Sequence, residues 1–204
     1  MSSLMELFHA AERLKNELRH AYKSNGLQES VAEHSWRLCL MTMVLSETIE
    51  EIDRDKCLKM ALIHDLPEIF AGDAYRLDLA KQAGRHDREK AALEKLVKLV
   101  PKGTAKEISS LWLEFEEGST REARLVRLID RLEVLIQHNE SDISKWNDLE
   151  QQIQYGLAEK HAERYGFLRE FTLEIDEETR IKLTKAGYHP EKLEQETYNK
   201  YYGS

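Results

Sequence analysis

An all-α fold is predicted by three features of the sequence. Apolar residues recur at three- and four-residue intervals along nearly all of the 204 residues. No run of alternating β-branched residues is long enough to specify a strand. Hydrophobic residues make up 41% and charged residues 33%, with only 3 prolines and 9 glycines, the balance of a helix-rich globular chain rather than a disordered one.

The first helix is expected over about Leu4 to Arg19, where Leu4, Leu7, Phe8, Ala11, Leu14 and Leu18 form one stripe. Asn25-Gly26 then marks a turn. Ser30-x-x-Glu33 fits a capping box, in which hydroxyl and carboxylate reciprocally satisfy the free amides of a helix start, and the helix it opens is expected to reach about Glu50. Asp53 caps a third helix ending near Leu66, where Pro67 follows. From Gly72-Asp73 to about Arg85 the pattern is irregular, a stretch suited to the mouth of a site. Asp87 to Val100 is amphipathic and stops before Pro101-Lys102-Gly103.

Thr104-x-x-Glu107 and Ser119-x-x-Glu122 repeat the capping-box pattern and open expected helices of Ala105 to Glu117 and Thr120 to Glu140. From about Asn147 onward, three or four more helices are broken at Gly156, Gly166 and Gly187, with His189-Pro190 starting the last. One domain over residues 1–204 is expected, with its core at about 14–140 and a helical extension at 147–204.

Bulk properties narrow the function. A formal net charge of -8 argues against a nucleic-acid polymer as partner, while leaving room for a small anionic ligand held by local cations. No segment approaches the roughly 20 apolar residues of a membrane span, and the N-terminus lacks a hydrophobic signal core, so no membrane association and a cytoplasmic location are expected. Cys39 and Cys57 sit on apolar stripes without C-x-x-C spacing and are read as reduced core thiols. Trp36, Trp112 and Trp146 are candidates for core or interface.

Polar residues that break these stripes carry the chemistry. His34 lies between Val31 and Leu38, His64 continues the stripe of Cys57, Met60 and Ala61, and Asp130 sits between Val126 and Val134. Each alone reads as a hydrogen-bonded core residue or a helix-surface acid. An unpartnered buried aspartate would cost several kcal/mol or take up a proton, and a shared cation removes that penalty. With Asp65 adjacent to His64, the set offers two nitrogens and two carboxylates, suited to one divalent Mn, Fe, Co or Zn ion. Glu68 follows His64 by one helical turn, and Gly72 allows a tight turn that aims Asp73 back toward the site. Such carboxylates can orient or deprotonate a metal-activated water and serve a leaving oxygen, so Glu68 and Asp73 are the candidate catalytic acids. His9, His20, His86, His138, His161 and His189 lack this context and read as surface or local-packing residues.

The order His34, His64-Asp65, Asp130 resembles the H…HD…D pattern of the HD-domain metal-dependent phosphohydrolases. Three longer stretches resemble their 5'-deoxynucleotidase branch: Glu29-Ser30-Val31-Ala32-Glu33-His34-Ser35, His64-Asp65-Leu66-Pro67-Glu68 to Ala71-Gly72-Asp73, and Leu125-Val126-Arg127-Leu128-Ile129-Asp130. The resemblance covers about Leu14 to Gln137 and implies an HD-type helical bundle with additional C-terminal helices. It implies His34, His64, Asp65 and Asp130 as ligands of one metal ion, Glu68 and Asp73 as catalytic acids, and hydrolysis of deoxyribonucleoside 5'-monophosphates by a homodimer.

Within that resemblance, Arg19 takes the place of a phosphate-binding arginine and Tyr22 that of an aromatic residue packing by the sugar or base. Ala74-Tyr75-Arg76 replaces the threonine-proline that commonly follows the Gly-Asp turn, a departure that bears on sugar and base preference. Two other classes compete: an HD-type hydrolase of a dNTP, ppGpp or cyclic phosphodiester, and a non-catalytic nucleotide-binding module. The Glu-Asp pair that follows the histidine-aspartate motif in ppGpp hydrolases is replaced by Leu66-Pro67-Glu68. A non-catalytic module would show a lost ligand or a lost Glu68, and neither is lost.

Overall fold

The computed structural model describes residues 3–75, 78–163 and 168–190. Arg76, Gly166 and the helix expected to follow His189-Pro190 lie outside the described residues, as does the side chain of His161. Among the described residues the elements are helical, apart from one two-stranded sheet.

That sheet corrects the expectation for the first helix. Helix α1 spans Ser3–Ala11 and tightens into a 3-10 turn at Glu12–Lys15, where the amides of Asn16 and Glu17 both bond to the Arg13 carbonyl. The chain then extends as β1, Leu18–Tyr22, and pairs with β2, Gln28–Ser30. The turn at Asn25-Gly26 drives the change. Gly26 holds φ at 81° and the Lys23 amide bonds to the Leu27 carbonyl at 2.8 Å, so the two flanking segments meet as a hairpin. Leu18, counted on the helical stripe, is exposed on the strand.

Helix α2, Val31–Leu45, opens with the expected capping box: the Glu33 amide donates to Ser30 Oγ at 3.2 Å, and Glu33 Oε2 accepts from the Ser30 amide at 2.8 Å. It ends at Leu45 rather than Glu50, in a 3-10 turn at Ser46–Thr48. Helix α3, Arg54–Ile63, is capped by Asp53, whose Oδ1 accepts from the Lys56 amide at 2.9 Å. Two short helices follow, α4 at Glu68–Ala71 and α5 at Leu79–Gln82, and then α6 at Arg85–Leu96.

Two of the expected capping boxes do not form. Helix α7 runs over Lys102–Glu117 behind Pro101, which leaves Thr104 inside the helix, and Glu107 meets Lys59 Nζ at 2.6 Å instead. Helix α8, Arg121–Glu140, is capped by Thr120 rather than Ser119, through the Ala123 amide at 3.2 Å. Glu122 accepts from the Asp53 amide at 3.3 Å, a partner 69 residues away that no local spacing reveals.

The chain forms two compact units, Met1–His20 with Gln28–Arg127, and Ala21–Leu27 with Leu128–Ser204. The first unit contains a core of Leu14, Val31, Ile69 and Leu96, with Leu7, Leu66, Phe70 and Ile108 packed against it. Burial of this size stabilises by roughly 1.5–3 kcal/mol per large side chain. The second contains α9 at Asp148–Ile153, α10 at Leu157–Glu163 and α11 at Arg169–Lys185. There the Asp176 carboxylate accepts from the amides of Gly156, Ala158 and Glu159, so α11 caps the start of α10. Trp112 and Trp146 are buried, and Trp36 is 68% exposed.

Candidate metal centre

Local sequence places the two histidines. The capping box fixes the first turn of α2, and His34 follows on its buried face with Val31 and Leu38. His64 is the C-cap of α3, where its Nδ1 lies 2.9 Å from the Ala61 carbonyl. A carbonyl only accepts, so Nδ1 carries a proton and Nε2 faces the site on the other side of the ring. The edge of the ring lies against Phe115, centroids 5.4 Å apart.

Three ligand-type atoms of the first unit converge. The Nε2 atoms of His34 and His64 are 3.3 Å apart, and Asp65 Oδ2 lies 3.0 Å from His64 Nε2 and 3.8 Å from His34 Nε2. Arg19 borders them, with Nη1 3.6 Å from the same Asp65 oxygen and Nε 3.3 Å from Glu29 Oε2. Burial pushes the Asp65 carboxyl upward, but His64, His34 and Arg19 outweigh it and bring the group down to about 2. Two imidazole nitrogens and an ionised oxygen at these separations form a donor set that fits a divalent ion.

The two candidate catalytic acids have the opposite character. Glu68 begins α4, 92% buried, and its Oε2 has no hydrogen-bond partner among the described residues. Burial first, then the charges of Asp65 and Asp73, hold its carboxyl well above the ordinary range. Asp73 follows Gly72, which has φ 74°, a value open to glycine at no steric cost. Burial also raises Asp73, against the pull of Arg19 and, more weakly, of Lys81.

Asp130 lies on α8 in the second unit and is half-buried. Arg127 donates to the Phe115 carbonyl at 3.0 Å, closing the end of α7. Tyr22 is also in the second unit, where Lys145 Nζ stands 5.3 Å from its ring centroid and its carbonyl accepts from Gln137. The structure therefore brings Arg19, His34, His64 and Asp65 together, with Glu68 and Asp73 within their electrostatic reach.

Sequence reasoning missed Glu29, which is buried and faces Arg19 across the hairpin. Opposite charges on paired strands are the signal that would have found it, once the hairpin was recognised. It also missed the buried Glu89 of α6, which Arg85 Nε contacts at 2.6 Å.

A helical scaffold carrying a histidine, a histidine-aspartate doublet and buried acids beside an arginine defines a metal-site protein of the hydrolytic class. The HD-domain family model matches residues 11–168. The chain belongs to the HD-domain family.

Among its relatives, the human 5'-deoxynucleotidase HDDC2 is 31% identical over 150 residues, covering 72% of this chain and 70% of that one. The zebrafish (Danio rerio) protein of the same name is 34% identical over 142 residues, covering 69% and 70%. A crystal structure from Magnetospirillum magnetotacticum, described as a predicted metal-dependent phosphohydrolase, superimposes with a TM-score of 0.78 at 27% identity, covering 92% of this chain and 95% of that one. A conserved hypothetical protein from Pyrococcus furiosus gives 0.66 at 30% identity, covering 85% and 99%.

Proposed function

We propose that the protein is a metal-dependent phosphomonoesterase that converts deoxyribonucleoside 5'-monophosphates to deoxynucleoside and phosphate. The observation that carries this reading is the convergence of His34, His64 and Asp65 beside Arg19, in a chain whose relatives are named 5'-deoxynucleotidases. His34, His64, Asp65 and Asp130 would hold one divalent ion of the Mn, Co, Fe or Zn type. When bound, that ion supplies Lewis-acid activation of water and of the phosphoryl group near neutral pH.

The other steps belong to the chain's own groups. The Arg19 guanidinium, partly exposed and already oriented by Glu29, offers two parallel N–H donors to phosphate oxygens and offsets the charge that grows on them in the transition state. Glu68, whose carboxyl burial holds well above the ordinary range, is the proposed donor to the leaving 5'-oxygen. Burial raises Asp73 as well, but Arg19 and Lys81 oppose that rise, so of the two acids it is the one proposed to accept the proton of the attacking water. Tyr22 is the proposed contact to the sugar or base.

The net charge of -8 supports a small nucleotide rather than a polymer as substrate. Among the described residues no helix is long and apolar enough to cross a membrane, and a cytoplasmic location is proposed. A homodimer is proposed as well. Exposed Trp36, Leu40, Met43 and Val44 on α2, with Leu58 and Leu62 on α3, supply the apolar face on which a second copy would sit.

The deciding experiment measures phosphate release from deoxy- and ribonucleoside monophosphates, dNTPs, ppGpp and cyclic phosphodiesters, with Mn, Co, Mg or Zn added in turn. Turnover of deoxynucleoside monophosphates is expected. Turnover confined to one of the other substrates, or bound metal with no turnover at all, overturns the reading.

A further inference from the structure

We infer that Glu17 is a positioning residue, whose carboxylate clasps the Gly72-Asp73 turn and sets where the Asp73 carboxylate stands relative to Arg19. The inference rests on the catalytic role given to Asp73 above. Glu17 Oε1 accepts from the Asp73 amide at 2.9 Å across 56 residues of sequence. With its own N–H held and Gly72 before it at φ 74°, the backbone from which the Asp73 side chain extends is fixed in place.

The backbone of Glu17 is itself tied at both ends. Its amide donates to the Arg13 carbonyl at 2.8 Å, and its carbonyl accepts from the Val31 amide at 3.0 Å. Val31 is the first residue of α2, three before His34, and Arg19 follows Glu17 by two residues. One residue thus joins the segments that carry the phosphate-binding cation, a metal-ligating histidine and the second catalytic acid. A catalytic group displaced by about 1 Å loses rate on the order of a hundredfold, so a clasp at this junction has kinetic consequences.

Gly72 is part of the device. A Cβ built there would stand 3.3 Å from Glu17 Oε1, tighter than ordinary van der Waals contact. The bare glycine lets the carboxylate reach the next amide, and the same residue supplies the positive φ that turns the chain. The partner here is a single backbone donor, so a glutamine at position 17 retains the accepting oxygen while an alanine removes it.

The test compares Glu17→Ala and Glu17→Gln in the full-length, metal-loaded protein by steady-state kinetics, elemental analysis and amide hydrogen exchange of the 72–73 segment. For Glu17→Ala the expected result is a kcat lowered about ten- to a hundredfold, KM within about twofold of wild type, metal content unchanged and faster exchange of the Asp73 amide. Glu17→Gln is expected to recover most of both the rate and the protection. Unchanged kcat in Glu17→Ala, equal impairment of the two variants, a change confined to KM, or unchanged exchange overturns the inference. Failure of the wild-type protein to hydrolyse any phosphate ester would instead refute the proposed function, and the exchange rates would still decide whether the clasp exists.

Discussion

The Nε2 atoms of His34 and His64 lie 3.3 Å apart, although 30 residues separate them in sequence and both side chains are buried. Both nitrogens face one space beside Asp65 Oδ2, an arrangement that a divalent cation would stabilise. His34→Ala and His64→Ala are each expected to abolish metal retention, and with it all phosphatase turnover. Elemental analysis of the purified variants checks this. Asp130→Ala is the matching test of the proposed fourth ligand: stoichiometric metal and retained turnover under saturating metal would remove Asp130 from the set.

Glu68 predicts a trade between activity and stability. A carboxyl raised in the folded state above its unfolded value, ordinarily near 4.3, favours folding fully below that value. Its contribution is lost as pH rises through the folded value, because the unfolded chain then binds fewer protons. Glu68→Gln presents a neutral amide at every pH. The metal-free variant is therefore expected to melt above the metal-free wild type at neutral and higher pH, with the difference shrinking as pH falls toward 4. Its kcat is expected to fall by roughly a hundredfold or more with metal content retained. Thermal melts across pH, paired with rate measurements, check both halves.

The histidine pair is legible from sequence because a polar residue on an apolar helical stripe stands out at a period of three and four residues. His34 and His64 were found in this way, and the Ser30 and Asp53 caps that fix their helices follow the same local chemistry. What local pattern could not reveal was pairing over distance. The Leu18–Tyr22 strand is extended because it meets Gln28–Ser30, and Thr104 lost its capping role because Pro101 started the helix three residues earlier. Glu29 and Glu17 were overlooked for the same reason: each acts on a partner that only the folded chain brings near, Arg19 across the hairpin and the Asp73 amide 56 residues away.

Pairing of two copies over α2 and α3 is expected to be sensitive to charge. Leu62 is 61% exposed and Trp36 68%, so a charged residue at either position leaves the monomer core undisturbed while placing like charges at a two-fold contact. Leu62→Glu and Trp36→Glu are expected to sediment as monomers with melting temperatures close to the monomeric core's own. A wild-type chain that already sediments as a monomer at micromolar concentration removes the proposal.

Glu29 and Arg19 give the sharpest separation between binding and chemistry. Glu29 is 2% exposed and holds Arg19 Nε at 3.3 Å, while Arg37 Nη2 reaches its other oxygen at 4.0 Å. With Glu29 gone, the Arg19 guanidinium keeps its charge but loses its fixed direction, and it turns toward Asp65 Oδ2, already 3.6 Å away. The phosphate must then bind to a cation that is misaligned and partly neutralised. Glu29→Ala is therefore expected to raise KM for a nucleoside monophosphate about tenfold, equivalent to roughly 1.4 kcal/mol, with a smaller effect on kcat. Arg19→Ala should raise KM further and lower kcat as well, because it also removes charge stabilisation from the transition state. The double variant tests whether the two act together: a KM equal to that of Arg19→Ala alone shows that Glu29 works through Arg19, and additive losses show that it does not.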